Sequence, residues 1–398
     1  MQIALISEHY PPMRTSAAIQ MQDLAIELFR QGHEPIVITP SNEINDDWEE
    51  ELIDGIQVLR LAAGSSHKTG SYFLRTLSEF FLPFLMIYKL RKSPFNDLQW
   101  KIIIWYSPSI FFGPLIWKMK RNAGCKTYLI LRDIFPEWAL DLGLIRKGVT
   151  YAFFKLIANF QYSTADTIGV QTKSNLSYLT DWANRPHRNL QVLQNWQTPR
   201  KNIGSSINVT NTSLAGRKIF AYIGNMGIAQ GMDIFIDLAI KLNNNKDFGF
   251  LFVGRGSEVT RLKACIKELS LSNILFKDEV DPQEIPGLLA QCHIGLLALD
   301  PRHTTHNIPG KFLTYILASL PVLARVNAGT DLAHLIEKEG VGKVYVGDSV
   351  AELKTLAEKK IYNRKTYGHM VSRGKNLAKK MFSSKTAVMQ IINTIKYN

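Results

Sequence analysis

Cysteine is scarce in this chain. Its 398 residues hold Cys125, Cys265 and Cys292, with no C-x-x-C and no paired spacing. That argues against a disulfide framework or a cysteine zinc site and fits a reducing compartment. No apolar run reaches the ~20 residues that span a bilayer, and Met1 leads straight into an apolar strand, so no signal peptide is expected. No Ser-His-Asp order, no H-E-x-x-H and no G-x-x-x-x-G-K-[ST] occurs, which sets aside those hydrolase, metalloprotease and P-loop classes. Acidic residues are the minority, 34 against 47 Lys and Arg, for a net charge of +13. The basic residues form no dense tract, so a nucleic-acid arm is not expected. Phosphorylated small molecules and anionic lipid remain open as partners.

What is present describes an ordinary globular chain, 46% apolar and 20% charged, long enough for two domains. The basic excess is split: residues 60–188 hold 18 Lys and Arg against 7 Asp and Glu, and residues 198–398 hold 27 against 16. Two basic surfaces, one per domain, follow.

The chain is organised around KIFAYIGNMGIAQGMDIFIDLA, residues 218–239. An apolar strand, Ile219–Ile223, runs into a loop with Gly224, Gly227 and Gly231, then into a helical pattern at Met232, Phe235, Ile236 and Ala239. Strand, glycine loop and helix together present backbone N–H groups and a helix N-terminus to a phosphate. The spacing is not the dinucleotide fingerprint G-x-G-x-x-G. A similar unit opens the chain: strand Gln2–Ile6, loop Ser7–Ser16, helix from Ala17.

Between these units, strands alternate with helices, which implies parallel sheets covered on both faces. Strands are expected at Pro35–Thr39, Ile56–Leu61, Ile102–Trp105, Thr127–Leu131, Thr167–Val170 and Leu190–Leu193. Helices are expected at Ile110–Asn122, Lys147–Ser163 and Lys173–Trp182. The acidic stretch Glu43–Asp54 reads as a solvated loop. Residues 198–217, rich in Ser, Asn, Thr and Gly, read as a linker between residues 1–197 and a second domain at 218–375. Residues 376–398 read as a helix packing back on the first domain, within a helical stretch Lys365–Asn393. The segment 72–92 carries Phe73, Leu74, Leu77, Phe80, Phe81, Phe84, Leu85 and Tyr88 on one helical stripe. Pro83 should kink or interrupt it, and Arg75, Lys89, Arg91 and Lys92 flank it. Both an interfacial helix on an anionic membrane and a core-facing helix fit.

Two places carry candidate chemistry. The strand ending at Leu131 runs into Arg132-Asp133-Ile134-Phe135-Pro136-Glu137, at the sheet edge where ligands bind; an Arg–Asp pair closing a turn fits equally. In the second domain, Gly254-Arg255-Gly256-Ser257-Glu258 follows a strand, with Ser257 suited to cap a helix. The loop 299–310, LDPRHTTHNIPG, ends in Pro309 and Gly310, which put Lys311 in the first turn of a helix. A cation there is unfavourable for the helix, so phosphate is preferred over a solvated lysine. His303 and His306 read as polar loop residues rather than metal ligands, since no third ligand stands nearby.

Taken together, the HYPP loop, RDIFPEWALDLGLI, YIGNMGIAQGMD, FVGRGSE and IPGKFLTYILASLPVLA resemble the GT-B glycosyltransferases of glycosyltransferase family 4. The branch they resemble is that of fucosamine-type amino-deoxysugar transferases of O-antigen and capsule assembly. The resemblance covers nearly the whole chain and implies an α/β fold of two Rossmann-like domains whose parallel sheets face an interdomain cleft. It implies that Gly224, Asn225 and Gly227 lie near the transferred sugar and diphosphate, and that Val280 backbone holds the base. Arg255 and Lys311 would neutralise the diphosphate, with Pro309, Gly310 and Thr314 completing the donor site. From the first domain, Asp133 and Glu137 would face the reacting centre, and Arg14, Ser16 and Arg132 would form the acceptor-side loop. Three positions depart from the family pattern. Gln230 replaces a lysine, Ser16-Ala17 replaces Gly-Gly, and Thr314 with His306 replaces the two carboxylates of the ribose-gripping element.

The function implied is retaining transfer of a sugar, N-acetylated and deoxy, from a UDP-sugar. No metal cofactor is implied. The acceptor would be a lipid diphosphate-linked saccharide, reached from the cytoplasmic face of the membrane as a peripheral protein. Two alternatives stand beside it: a nucleotide-sugar epimerase of the same fold, and a catalytically silent, membrane-bound partner of another transferase.

Overall fold

A computed structural model describes residues 1–64, 72–141, 143–300, 307–361 and 364–397. The chain divides into two compact units, residues 1–197 with 384–398, and residues 198–383.

The first unit is built on an eight-stranded sheet. Its strands are β1 (Gln2–Ile6), β2 (Glu34–Ser41), β3 (Trp48–Ile53), β4 (Ile56–Ala62), β5 (Ile102–Tyr106), β6 (Lys126–Leu131), β7 (Thr167–Val170) and β8 (Asn189–Val192). Their spatial order is β3-β4-β2-β1-β5-β6-β7-β8, parallel throughout except for β3 against β4. Successive residues point to opposite faces of a strand, so one apolar run feeds two cores. Ala4, Ile6, Ile103, Trp105 and Leu129 face one core with the helices Tyr72–Arg91, Gly113–Ala123 and Val149–Thr164. Ile3, Leu5, Ile104, Tyr128 and Ile130 face the other, covered by helix Ser16–Arg30 and by Ser384–Tyr397 from the far end of the chain.

The second unit is a six-stranded, wholly parallel sheet: β9 (Lys218–Ile223), β10 (Phe248–Val253), β11 (Ile274–Lys277), β12 (Ile294–Ala298), β13 (Val322–Arg325) and β14 (Gly342–Tyr345). The order β11-β10-β9-β12-β13-β14 reverses its direction of winding between β9 and β12. At such a switch point the connections leave in opposite directions and open a crevice at the carboxyl ends of the two strands.

Several expectations are corrected. Glu43–Asp54 is not all loop: β3 lies inside it as an antiparallel edge strand, joined to β4 by a two-residue turn at Asp54-Gly55, both with positive φ. Asp-Gly between two strands is a hairpin signal, and here it sets the turn. The charges belong to an edge: Glu51 pairs with Arg60, and Gln57 donates to Glu50 at 2.5 Å. Residues 173–182 form a 3-10 segment, Ser174–Leu179, followed by the short helix Thr180–Ala183. Residues 198–217 belong to the second unit, where Val209 and Leu214 are buried and Gln291 binds Val209 N–H and Ile207 carbonyl. The stretch Lys365–Asn393 is two helices, Arg364–Met381 and Ser384–Tyr397. They separate at Phe382, which is fully buried against Phe312 in the second unit, while the chain after it joins the first.

Pro83 lies inside helix Tyr72–Arg91 without ending it. Leu82, Met86 and Leu90 anchor the inner face in the core, whereas Leu74, Leu77, Phe81, Phe84 and Tyr88 are exposed on the outer face. Its basic end is partly neutralised, since Lys89 and Lys92 both pair with Asp47.

Ile391 is fully buried in the core shared with β1 and β2. Ile391→Ala should therefore remove ~2–5 kcal/mol from the stability of the first unit. Hydrogen exchange of the β1 and β2 amides measures this, and unchanged protection would mean that the last helix is no part of that core.

Candidate functional site

The crevice at β9 and β12 is shaped by two interlocked glycine loops. Gly224 N–H donates to Val253 carbonyl at 2.8 Å and Met226 N–H to Arg255 carbonyl at 2.7 Å. The loops approach so closely that a Cβ on Gly254 would sit 2.0 Å from Gly224 carbonyl oxygen, and one on Gly256 2.2 Å from that of Met226. Both glycines also have φ values, +152° and +144°, that side chains disfavour. The loops are thus fixed against each other by backbone contact.

One function expected of the loop is corrected by this bonding. The N–H groups of Gly224 and Met226 are used within the loops, and that of Gly227 donates to Gln230 Oε1 at 2.8 Å. Gln230 also accepts from Asn225 Nδ2 at 3.1 Å, so the residue that stands in place of the lysine expected from the resemblance organises the loop. These three amides are already satisfied within the chain.

The charge comes from helix Gly310–Leu317, whose N-cap is Pro309. Lys311 and Tyr315, one turn apart, share a helix face. Tyr315 hydroxyl accepts from Ile223 N–H at 3.1 Å, which ties the helix to the end of β9. Lys311 Nζ then lies 4.9 Å from the centre of the Tyr222 ring and donates to Asn225 carbonyl at 3.4 Å. Tyr222 hydroxyl donates to the same carbonyl at 2.7 Å. Among the described residues Lys311 has no carboxylate partner, and burial pushes its pKa down to about 8. An ammonium held on an aromatic face and one carbonyl is poised for an anion.

Arg255 borders the same loop through its backbone, but its side chain is exposed and meets Glu279 at 3.4 Å. Such surface pairs contribute ~0–1 kcal/mol, so the guanidinium is held only weakly. Ser257 does not cap the following helix, whose N-cap is Glu258. Val280 lies just past the end of β11, half-buried against the second unit's core. Thr314 hydroxyl donates back to Gly310 carbonyl at 3.1 Å. His303 and His306 lie outside the described residues. Among the described residues no cluster of three His, Cys, Asp or Glu forms a metal site.

In the first unit the corresponding edge is the end of β1, β5 and β6. Arg132, expected on an acceptor-side loop, is instead buried, only 7% exposed. It donates to Leu193 carbonyl at 2.6 Å and Gln194 carbonyl at 3.3 Å, with its guanidinium 4.8 Å from the centre of the Trp196 ring. It braces the chain after β8. Asp133 next to it is half-buried, and its charge helps raise the pKa of Tyr106, whose burial is the main cause. Glu137 opens the short helix Glu137–Asp141 and is ion-paired with Lys155, with Tyr151 hydroxyl 3.5 Å away. Arg14 and Ser16 are exposed, and Thr15 rather than Ser16 caps its helix, accepting from Ala18 N–H at 3.2 Å. Thr15 hydroxyl also lies 3.3 Å from His9 Nδ1, a contact the sequence did not single out.

No family model matches the chain. It is 26% identical over 227 residues to a Pseudomonas aeruginosa protein carrying the name glycosyltransferase WbjE, and the match spans about half of each chain, 55% of this one and 56% of the relative. It is 24% identical over 363 residues to WcaI of Escherichia coli (strain K12), named for glycosyl transfer in colanic acid biosynthesis, covering 85% and 86% of the two chains. Among solved structures, sucrose-phosphate synthase from Thermosynechococcus elongatus superposes with a TM-score of 0.75 at 14% identity, covering 100% of this chain and 98% of that one. WaaG, a glycosyltransferase of lipopolysaccharide biosynthesis, gives 0.66 at 15% with both chains fully covered. Anabaena HepE, solved with UDP and glucose, gives 0.68 at 16%, again with 100% of both chains covered. The fold is GT-B.

Lys311 sets a pH dependence. Unfolding raises its pKa from about 8 to the ordinary lysine value, so the cost of burying the charge is present in full below pH ~8 and fades above it. Anion binding runs the other way, since it needs the proton. Sulfate, whose charge is constant, should bind about tenfold more weakly at pH 9 than at pH 7 if a pKa near 8 governs the site. Chemical-shift titration checks this. A Lys311→Met variant with the same pH dependence as wild type would remove Lys311 from the site.

Proposed function

We propose that this GT-B glycosyltransferase, whose sequence relatives are named for glycosyl transfer, moves a sugar from a UDP-linked donor to a lipid diphosphate-linked saccharide in surface polysaccharide assembly. The observation that carries the reading is the Lys311 ammonium, half-buried on the Tyr222 ring beside a glycine loop at a topological switch point, with no carboxylate partner among the described residues. A nucleoside diphosphate supplies the anion that this cation lacks. UDP as the nucleotide is supported by HepE, solved with UDP, and by a trehalose-6-phosphate structure from E. coli bound with UDP-2-fluoro glucose. A lipid-borne acceptor is supported by relatives named for colanic acid and lipopolysaccharide biosynthesis.

In this mechanism negative charge grows on the diphosphate as the bond to the anomeric carbon breaks. Lys311, already in place, meets that charge with little reorganisation, and Arg255 adds to it after leaving Glu279. Gly224, Asn225 and Gly227 shape the wall beside the sugar, and the Val280 backbone holds the base. Asp133 and Glu137, from the first unit, are the carboxylates that face the reacting centre. The sugar is an N-acetylated amino-deoxysugar transferred with retention, following the branch that the motifs resemble. The protein works as a peripheral protein on the inner face of the membrane, with the exposed stripe of residues 72–92 toward anionic lipid. No described helix is long and apolar enough to cross the bilayer.

Because Lys311 acts most strongly in the transition state, Lys311→Ala should lower kcat by roughly 100-fold or more, as loss of an oxyanion donor does. Turnover assays on a UDP-sugar panel with a lipid diphosphate acceptor test this, and a wild-type kcat would refute the assignment. Thr314 reports on the ribose. A glutamate there would accept charge-assisted hydrogen bonds, so Thr314→Glu should tighten UDP by about 1 kcal/mol in calorimetry. Weaker binding would show that another group already holds the ribose. Wild-type protein that ignores millimolar UDP would rule out the UDP donor.

A further inference from the structure

The helix Val149–Thr164 exposes an apolar face that neither the core nor the proposed chemistry uses. Val149 is 89% exposed, Phe153 42%, Leu156 69% and Phe160 44%. At 3.6 residues per turn these four fall on one narrow stripe. The helix cannot roll to bury them, because its opposite face is committed. Ala158, Gln161 and Tyr162 are buried there, and Tyr151 and Lys155 meet Glu137.

The stripe is continuous with the outer face of Tyr72–Arg91. Phe80 joins them, its ring centre 6.2 Å from that of Phe153, 5.3 Å from Phe81 and 6.1 Å from Phe84. The helix Gly113–Ala123, packed between them, adds a half-exposed Trp117 with Arg121 over its ring at 5.4 Å. An exposed apolar surface built from three adjacent helices marks an interaction site. Its charge identifies the occupant. The helices Gly113–Ala123 and Val149–Thr164 contain no acidic residue, and Glu79, the one in Tyr72–Arg91, pairs with Arg75 at 2.9 Å. Just before the stripe, Arg146 and Lys147 are exposed and have no carboxylate partner among the described residues. An apolar stripe with a rim in which basic residues outnumber acidic ones matches anionic lipid. A second copy of the chain, packed symmetrically, would bring its own cations against these.

We infer that the helix Val149–Thr164, with Arg146 and Lys147 ahead of it, inserts into an anionic lipid surface beside the outer face of Tyr72–Arg91. This rests on the membrane-facing part of the proposed function and adds an element to it.

Sedimentation with vesicles of phosphatidylcholine containing phosphatidylglycerol tests the inference independently of any sugar transfer. Two variants address the new element: Val149→Asn with Leu156→Asn, and Arg146→Glu with Lys147→Glu. Each should weaken binding about tenfold or more, the second mainly at low salt, while the melting temperature stays that of wild type. A third variant, Phe81→Ser with Phe84→Ser, addresses the first stripe. If only that one loses binding, the helix Val149–Thr164 takes no part and the inference falls, but the membrane reading stands. Should the wild type ignore the vesicles, both fall. A wild type that dimerises through this face, with the Val149/Leu156 variant monomeric, would assign the surface to a second copy and also overturn the inference.

Discussion

A lysine ammonium taken out of water needs a negative partner or must give up its proton, and in the second unit Lys311 is given no carboxylate among the described residues. The cation is held by weaker means, the face of the Tyr222 ring and one peptide carbonyl, and its pKa falls to about 8. Everything around it serves to keep that arrangement. Tyr315 pins the helix to the last peptide of β9. The glycine loops are pressed together at Gly254 and Gly256, where a side chain would collide with backbone. The reversal of strand order between β9 and β12 opens the crevice in which a ligand can reach the charge.

Much of this was legible in the sequence, because it depends on local pattern. Strand, glycine loop and helix can be read from residues 218–239, and Pro309-Gly310 before Lys311 places the lysine in a first turn, where it is found. Alternating strands and helices are enough to indicate parallel sheets. What escaped depends on contacts between distant segments. Nothing near Arg132 in the sequence shows that its guanidinium would lie on Trp196 and bind the chain after β8. Gln230 looks like a lost lysine until its carbonyl is seen to accept from Gly227 and Asn225. The burial of Phe382, which separates two helices within one helical pattern, is likewise a property of the packed unit.

The acidic stretch 43–54 teaches a different lesson. Its composition suggested solvent, and solvent does reach it, but as an edge strand. The Asp54-Gly55 turn and the pairing of Glu51 with Arg60 gave it a sheet partner that composition alone does not reveal. Charge marks where a segment meets water, while turn residues decide its backbone. Asp47, in the same stretch, takes up Lys89 and Lys92 from the helix Tyr72–Arg91, so the acidity also trims the charge of the neighbouring basic face.

The course of the chain bears on its synthesis. The first unit needs residues 384–397 to cover one face of its sheet, yet the whole of residues 198–383 is made before them. On a ribosome, the later-starting unit is complete while the core that Ala387, Val388 and Ile391 share with the first unit's sheet is still unfinished. Closure of the first unit therefore waits until the second has been synthesised. During that interval its uncovered sheet is the part of the nascent protein that a holding chaperone would recognise and that aggregation would claim.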